Sequence, residues 1–345
     1  MEKVMIAMSG GVDSSVAALL AIQQGHPCIG ATMLLWGEDN TADAQRICQL
    51  LDIPFHTFDH RQDFCREVVD GFISAYEQGD TPNPCYQCNI RIKFGILLEK
   101  ALSMGCSKLA TGHYARIRQD AQTGRYLLYR AADSGKDQSY FLSGLTQHQL
   151  SHTLFPLGEL TKEQVRQIAE ENGFVNARKK DSQDICFIPD GDYVAFMKGY
   201  TGKAYPQGDY LDLSGKVVGR HTGAVCYTIG QRRGLGIAMG EPVYVCSKDM
   251  ENNTVTLGPN EALFRDSLLA DGWNWIPFPT LREPLRCYGK VRYRHEPQPA
   301  TVYPNEDGTA RVVFDQPQRA FTPGQTVVLY DRDLVLGSGI IRKAL

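Results

Sequence analysis

The run Ser9-Gly10-Gly11-Val12-Asp13-Ser14-Ser15 lies between a short apolar stretch, Val4-Met5-Ile6-Ala7, and a helix-like one at 15–21. A strand, a Gly-Gly turn and a helix start leave several backbone N–H groups unpaired around one small volume. Those groups and the helix dipole both favour negative charge, so such a concavity binds an anion. Gly10 and Gly11 let the backbone approach a phosphate closely, and Ser9, Ser14 and Ser15 add hydroxyl donors. No Lys follows the glycines, so this is not the nucleotide loop that ends in Gly-Lys-Ser/Thr. Two other segments could carry sulfur chemistry. In Thr81-Pro82-Asn83-Pro84-Cys85-Tyr86-Gln87-Cys88-Asn89 two prolines stiffen the approach, which places both thiols on an ordered turn and not in a core helix. Alone, a Cys-x-x-Cys reads equally well as a structural or redox pair. In Asp181-Ser182-Gln183-Asp184-Ile185-Cys186-Phe187-Ile188 the cysteine has polar and acidic residues on one side. A lone cysteine is more often a small buried filler.

These residues need elements to position them. The first half alternates apolar strands, expected at 28–34, 54–59 and 108–111, with helices at 42–51, 64–76, 92–103 and 161–172. The last has Thr161 and Gln164 spaced as a capping box. Such alternation predicts an α/β fold with a doubly wound, mostly parallel sheet. Ligands then bind beyond the carboxyl ends of the strands. The phosphate loop, Met33 and Gly112-His113 all fall at such ends. After about Gly199 helical periodicity fades and short β-type runs appear between Gly, Pro and Asp turns. The expected domains are therefore a catalytic unit at 1–199, a small β-rich central domain at 200–265 and a C-terminal β-barrel at 266–345.

A chain of 345 residues has room for two or three domains. Its net charge of −3 argues mildly against a nonspecific nucleic-acid binder but leaves room for a local basic surface. No apolar run reaches the roughly 18 residues of a membrane helix, so no membrane partner is expected. Glu2 and Lys3 lead straight into the first strand, which predicts no signal peptide and a cytoplasmic location. There most of the ten cysteines stay reduced, and Cys28 and Cys48 suit small core positions.

The loop resembles that of the PP-loop ATP pyrophosphatases, which are adenine nucleotide alpha hydrolase-like and cleave ATP between its α and β phosphates. Further motifs accompany it: NPCYQCN, GHYAR at 112–116, KDQSYFL at 136–142, DSQDICFI, YTIGQRRGLGI at 227–237 and RYRH at 292–295. In this order they resemble the tRNA-specific 2-thiouridylases over nearly the whole chain. The resemblance implies a sulfurtransferase that adenylates the C2 oxygen of the wobble uridine and replaces it with sulfur, releasing AMP and pyrophosphate. It implies that ATP, with Mg²⁺, binds at Ala7, Met8, Ser9, Gly10, Gly11, Val12, Asp13 and Ser14, and also at Met33 and Gly112. Cys186 would carry a persulfide sulfur, and Cys88 would be the nucleophile that completes transfer and can form a disulfide with Cys186. Asn83, Pro84 and Cys85 would meet the target base. His113, Lys136, Asp137, Gln138, Arg292, Tyr293 and Gln325 would touch tRNA, with the barrel contributing. The implied partners are tRNA and a sulfur-donor relay protein or cysteine desulfurase, and the expected state is a monomer. In one place the sequence departs from the family pattern. Many members have Asp where this chain has Cys85, so the three thiols of Cys85, Cys88 and Cys186 could instead ligate a [4Fe–4S] cluster with one open iron. Persulfide and cluster routes both stand at this level. An amide-forming PP-loop synthetase would need a glutaminase module, and Glu2 stands where its Cys often lies. A lysidine synthetase would not need the cysteine motifs. A metal- or RNA-binding module would not need an ATP loop.

Overall fold

The computed structural model describes residues 2–37, 41–177 and 185–345, so residues 181–184 of the Cys186 motif lie outside the described residues. Seven strands come first: β1 (Val4–Ala7), β2 (Cys28–Leu34), β3 (Phe55–Asp59), β4 (Lys108–Ala110), β5 (Arg116–Gln119), β6 (Tyr126–Tyr129) and β7 (Thr153–Leu154). Five of them form one sheet in the order β3-β2-β1-β4-β7, with every pairing parallel. Alternation along β1 sends side chains to opposite faces. Val4 and Ile6 pack against α1 (Val12–Gln23) and α2 (Ala42–Leu50), while Met5 packs against Phe94, Leu98 and Ala101 of a helix on the other face. The sheet is thus doubly wound, as its strand–helix alternation predicts.

That second helix departs from expectation. It runs over 84–103, eight residues earlier than the sequence suggests, and its Cys88–Leu97 stretch is wound as a π-helix. Asn83 is its N-cap, with Oδ1 accepting from the Tyr86 N–H at 3.2 Å, and Pro84 occupies the first helical position. A proline there sacrifices no hydrogen bond and its fixed φ suits the helix. Cys85 and Cys88 therefore stand in the first two helical turns, not on a turn outside a helix, and Cys88 is buried in a core with Phe64, Phe72 and Ile92. The wide π turns are supported from outside: the buried Gln149 donates through Nε2 to the carbonyls of Ile90 and Phe94, both at 2.9 Å.

Four strands, β8 (Gly208–Leu211), β9 (Val217–His221), β10 (Tyr244–Asp249) and β11 (Thr254–Gly258), form a central sheet in the order β10-β11-β8-β9. A helix at Tyr193–Thr201 precedes them, so the 199/200 boundary read from the sequence falls inside it. The last six strands are β12 (Phe264–Trp275), β13 (Leu285–Lys290), β14 (Gln298–Pro304), β15 (Ala310–Arg319), β16 (Thr326–Asp331) and β17 (Leu334–Ala344). They pair as β12-β15-β14-β13-β16-β17, and β17 returns to β12, closing a barrel that leaves no open edge. The β5–β6 hairpin, which the sequence does not announce, reaches this barrel through the Leu334–Tyr129 pairing. Among the described residues no helix is long and apolar enough to cross a membrane.

Candidate active site

The phosphate loop is shaped by its own hydroxyls. Ser14 Oγ donates to the Gly11 carbonyl at 3.0 Å and accepts from the Ser9 N–H at 3.2 Å. Ser15 Oγ donates to the same carbonyl at 3.0 Å. Gly10 has a φ of +73°, a left-handed conformation that favours glycine. Asn176 braces the loop from behind, its Nδ2 donating to the Gly10 carbonyl at 3.1 Å and to Ser15 Oγ at 2.9 Å. Gly112, just beyond β4, abuts the start of α1: a Cβ there would stand 2.7 Å from both the Asp13 carbonyl carbon and the Ser14 nitrogen. Only glycine allows that approach.

Asp13 is firmly held. Lys162 Nζ lies 2.7 and 2.8 Å from its two carboxylate oxygens, and Tyr114 donates to Oδ1 at 2.8 Å. Lys162 is only 4% exposed, so its charge depends on this partner. Sequence reasoning missed it, although a signal existed. Lys162 is the first residue of the helix Lys162–Glu171, where a cation opposes the helix dipole and so needs an anion elsewhere.

A cleft of about 520 Å³ opens beside the loop. Of the residues singled out from sequence, Ala7, Met8, Ser9, Asp13, Ser14, Met33, Gly112, His113, Gln138 and Cys186 line it. Gly10, Gly11 and Val12 complete the loop behind this wall, with Val12 buried. Trp36, Thr32 and Lys93 also line the cleft and were not anticipated. Thr32 Oγ1 donates to the Met8 carbonyl at 2.6 Å, tying β2 to the loop. His113 is packed between Phe94 and Phe155, its Nδ1 2.7 Å from Thr111 Oγ1. Burial, reinforced by the Lys93 charge, holds its pKa well below the ordinary histidine value, so it is neutral at pH 7.

The three thiols lie close enough to feel one another's charge. Burial pushes the Cys88 thiol up to about 11; the Lys93 ammonium opposes this, and the neighbouring Cys186 and Cys85 sulfurs add to it. Cys85 and Cys186 are exposed residues, yet desolvation of the sulfur raises both thiols, and Lys93 opposes the rise in each. All three are free thiols. Among the described residues no group of three or more His, Cys, Asp or Glu is arranged to hold a metal ion.

The remaining predicted residues, Gln138 apart, line a different cleft or none. Asn83 and Pro84 line a second cleft of about 400 Å³ together with Arg66, Arg91 and Arg342. Gln138, at the first cleft, accepts from the Tyr114 N–H at 2.9 Å. Asp137 is 4% exposed, and its carboxylate accepts from Ala131 N–H, Ser139 N–H and Ser139 Oγ at 3.0, 3.2 and 2.9 Å. These bonds turn the carboxylate inward, where it shapes the turn that presents the half-buried Lys136 and Gln138. Arg292 is drawn inward as well, donating to the carbonyls of Ile229 and Ala320 at 3.1 and 3.2 Å, which ties the central domain to the barrel. Tyr293 packs on Phe141 with ring centroids 4.4 Å apart. Gln325 donates to the Thr81 carbonyl at 2.8 Å and so fixes the approach to the Cys85–Cys88 helix.

Comparison with known proteins places the chain. It matches a tRNA methyl transferase HUP domain over residues 2–190, a tRNA methyl transferase PRC-barrel domain over 194–259 and an aminomethyltransferase beta-barrel domain over 265–341. It is 47% identical to the tRNA-specific 2-thiouridylase MnmA of Clostridioides difficile (strain 630), over 100% of this chain and 99% of that protein. With the protein of the same name from Acetivibrio thermocellus it shares 46% identity, over 99% of each. With that from Moorella thermoacetica it shares 48%, over 98% of each. A solved 4-thiouridine synthetase–RNA complex with bound ATP is similar at 18% identity and a TM-score of 0.36, over 54% of this chain and 44% of that one, too loosely to add to the argument.

Proposed function

This chain belongs to the tRNA-specific 2-thiouridylase family, and we propose that it uses ATP to replace the C2 oxygen of a tRNA wobble uridine with sulfur. The observation that carries this reading is that the phosphate loop and the Cys186 thiol line one cleft. A uridine carbonyl oxygen is a poor leaving group, whereas an AMP ester is a good one. The loop N–H groups around Ser9–Ser14 receive the phosphates of ATP, whose accompanying Mg²⁺ is held mainly by phosphate oxygens and water. Attack of the uridine O2 on the α-phosphorus forms an O–P bond and expels pyrophosphate. Loop dipoles stabilise the charge that develops as it leaves.

Sulfur then enters from the thiol side. The terminal sulfur of a Cys186 persulfide attacks C2, and AMP departs with the former uridine oxygen. The Cys88 thiolate attacks the Cys186 sulfur, which releases the thiocarbonyl and leaves a Cys88–Cys186 disulfide for a thiol reductant to reset. A relay protein or cysteine desulfurase supplies the persulfide. On the tRNA side, Asn83 and Pro84 approach the extruded base from the second cleft, with Cys85 next to them in the chain, while neutral His113 and Gln138 offer hydrogen-bonding groups within the first. Lys136 and Tyr293 lie beyond both clefts, where phosphate and stacking contacts to the rest of the anticodon arm belong. Methyl transfer, named in two of the matching family models, would need neither an ATP phosphate loop nor paired thiols.

A tRNA labelled with ¹⁸O at C2 of the wobble uridine tests the adenylation step. The label is expected in the AMP phosphate, one atom per thiouridine formed. Unlabelled AMP alongside thiolated tRNA would sink the adenylate route.

A further inference from the structure

One cleft residue has no role in the scheme above. Lys93 lines the same cleft as Ser9, Gly112 and Cys186, and no hydrogen bond or ion pair joins it to another described residue. Its place follows from the helix type. In an α-helix residues five apart point about 140° away from each other, at about 100° per residue. In a π-helix the backbone bonds run from i to i+5, so residues five apart fall on the same face. Cys88 and Lys93 are five apart and both lie in the π segment Cys88–Leu97. Gly95 and Gln149 keep that segment wide: a Cβ on residue 95 would come within 3.0 Å of the Ile90 carbonyl oxygen, and Gln149 holds that same carbonyl.

We propose that Lys93 is the positioning cation of the sulfur-transfer step, aligned by the π-helix so that its ammonium compensates the thiolate of Cys88 and the anionic sulfur of Cys186. The proposal rests on the thiolation reading for its purpose but not for its chemistry. When a thiol ionises, its proton passes to solvent and the sulfur keeps the charge. In this site desolvation opposes that event at Cys85, Cys88 and Cys186 alike, and among the described residues Lys93 is the one charged side chain that favours it at all three. Among the described residues the other charged groups at the cleft are engaged elsewhere. Asp13 from α1 and Lys162 from the helix Lys162–Glu171 pair with each other, and His113, beyond β4, is neutral.

The test compares the full chain with Lys93→Met and Lys93→Arg variants. Each is alkylated with iodoacetamide between about pH 7 and 10.5, the thiols being resolved by peptide mass mapping, with ATP binding measured in parallel. A pKa rise of one unit reduces the thiolate fraction tenfold. K93M should slow alkylation of Cys88 and Cys186 about tenfold near pH 8 while ATP still binds, and K93R should restore most of the rate. An alkylation profile in K93M that matches the wild type overturns the proposal. So does loss of ATP binding with alkylation unchanged, which would make Lys93 a nucleotide residue. Should K93M not fold, Lys93→Gln carries the same comparison. The thiol readout needs neither tRNA nor a sulfur donor, so its failure is distinguishable from failure of the thiolation reading.

Discussion

At the scale of single residues, the site depends on contacts that lie behind the atoms doing chemistry. Lys162 is buried against Asp13, so removing the ammonium strands a carboxylate beside the phosphate loop. Lys162→Met should cost about 3 kcal/mol, the lower end for buried pairs because Asp13 keeps 30% side-chain exposure, and should weaken ATP binding. Thermal unfolding and calorimetric titration would show both effects; a variant as stable as wild type would contradict the account. Gly112→Ala places a methyl 2.7 Å from backbone atoms and should push α1 away from the loop, with ATP affinity falling before stability does. His113 carries a pH signature. Its folded pKa lies well below that of the unfolded chain, so below about pH 6.5 the unfolded chain takes up a proton that the folded one refuses. Its contribution to stability is full above that pH and declines as pH falls. His113→Asn should flatten the loss of stability between pH 7 and 5, and an unchanged slope would exclude this source. The loop residues were legible in the sequence because a phosphate loop is a local pattern. Asn176 and Thr32 were not, because their partners are distant in sequence, and Lys162 showed only as a cation at a helix start.

At the scale of elements, the helix 84–103 is the part the sequence half disclosed. Asn83-Pro84 carries rigidity and a helix start in the same two residues, and the reading that stressed rigidity placed the thiols outside the helix. Asn83→Ala should cost about 1 kcal/mol through the lost cap and loosen the Cys85–Cys88 turn, visible as faster amide exchange there. The π segment was not legible, since its support comes from Gln149 in another element. By contrast Thr161 and Gln164 do form the capping box that their spacing announces. The parallel sheet was legible for a related reason: buried parallel strands read as continuous apolar runs, as Val4–Ala7 does. The β5–β6 hairpin was missed because its outer strand shows Arg118 and Gln119 to solvent and its stabilising neighbour is over 200 residues away, in β17.

At the scale of the whole molecule, the three regions share their cores. Phe72 and Cys88 pack with Tyr210 and Val245 of the central sheet, and Phe94 and Leu128 pack with Val328 and Tyr330 of the barrel. Tyr86, inside the thiol helix, also meets Ser338 of β17 at 3.1 Å between hydroxyl oxygens. The barrel is therefore one wall of the N-terminal unit and not a separate appendage. The central claim is that one cleft joins ATP cleavage to sulfur insertion, and nucleoside mass spectrometry tests it most directly. Purified protein would be incubated with ATP, Mg²⁺, unmodified tRNA and a persulfide donor, then the tRNA digested and AMP counted. The account predicts 2-thiouridine and AMP in equal amounts, both requiring tRNA, with 2-thiouridine lost in Cys186→Ser while ATP still binds. Thiouridine formed without ATP, or AMP released with no thiouridine under the same conditions, would contradict it.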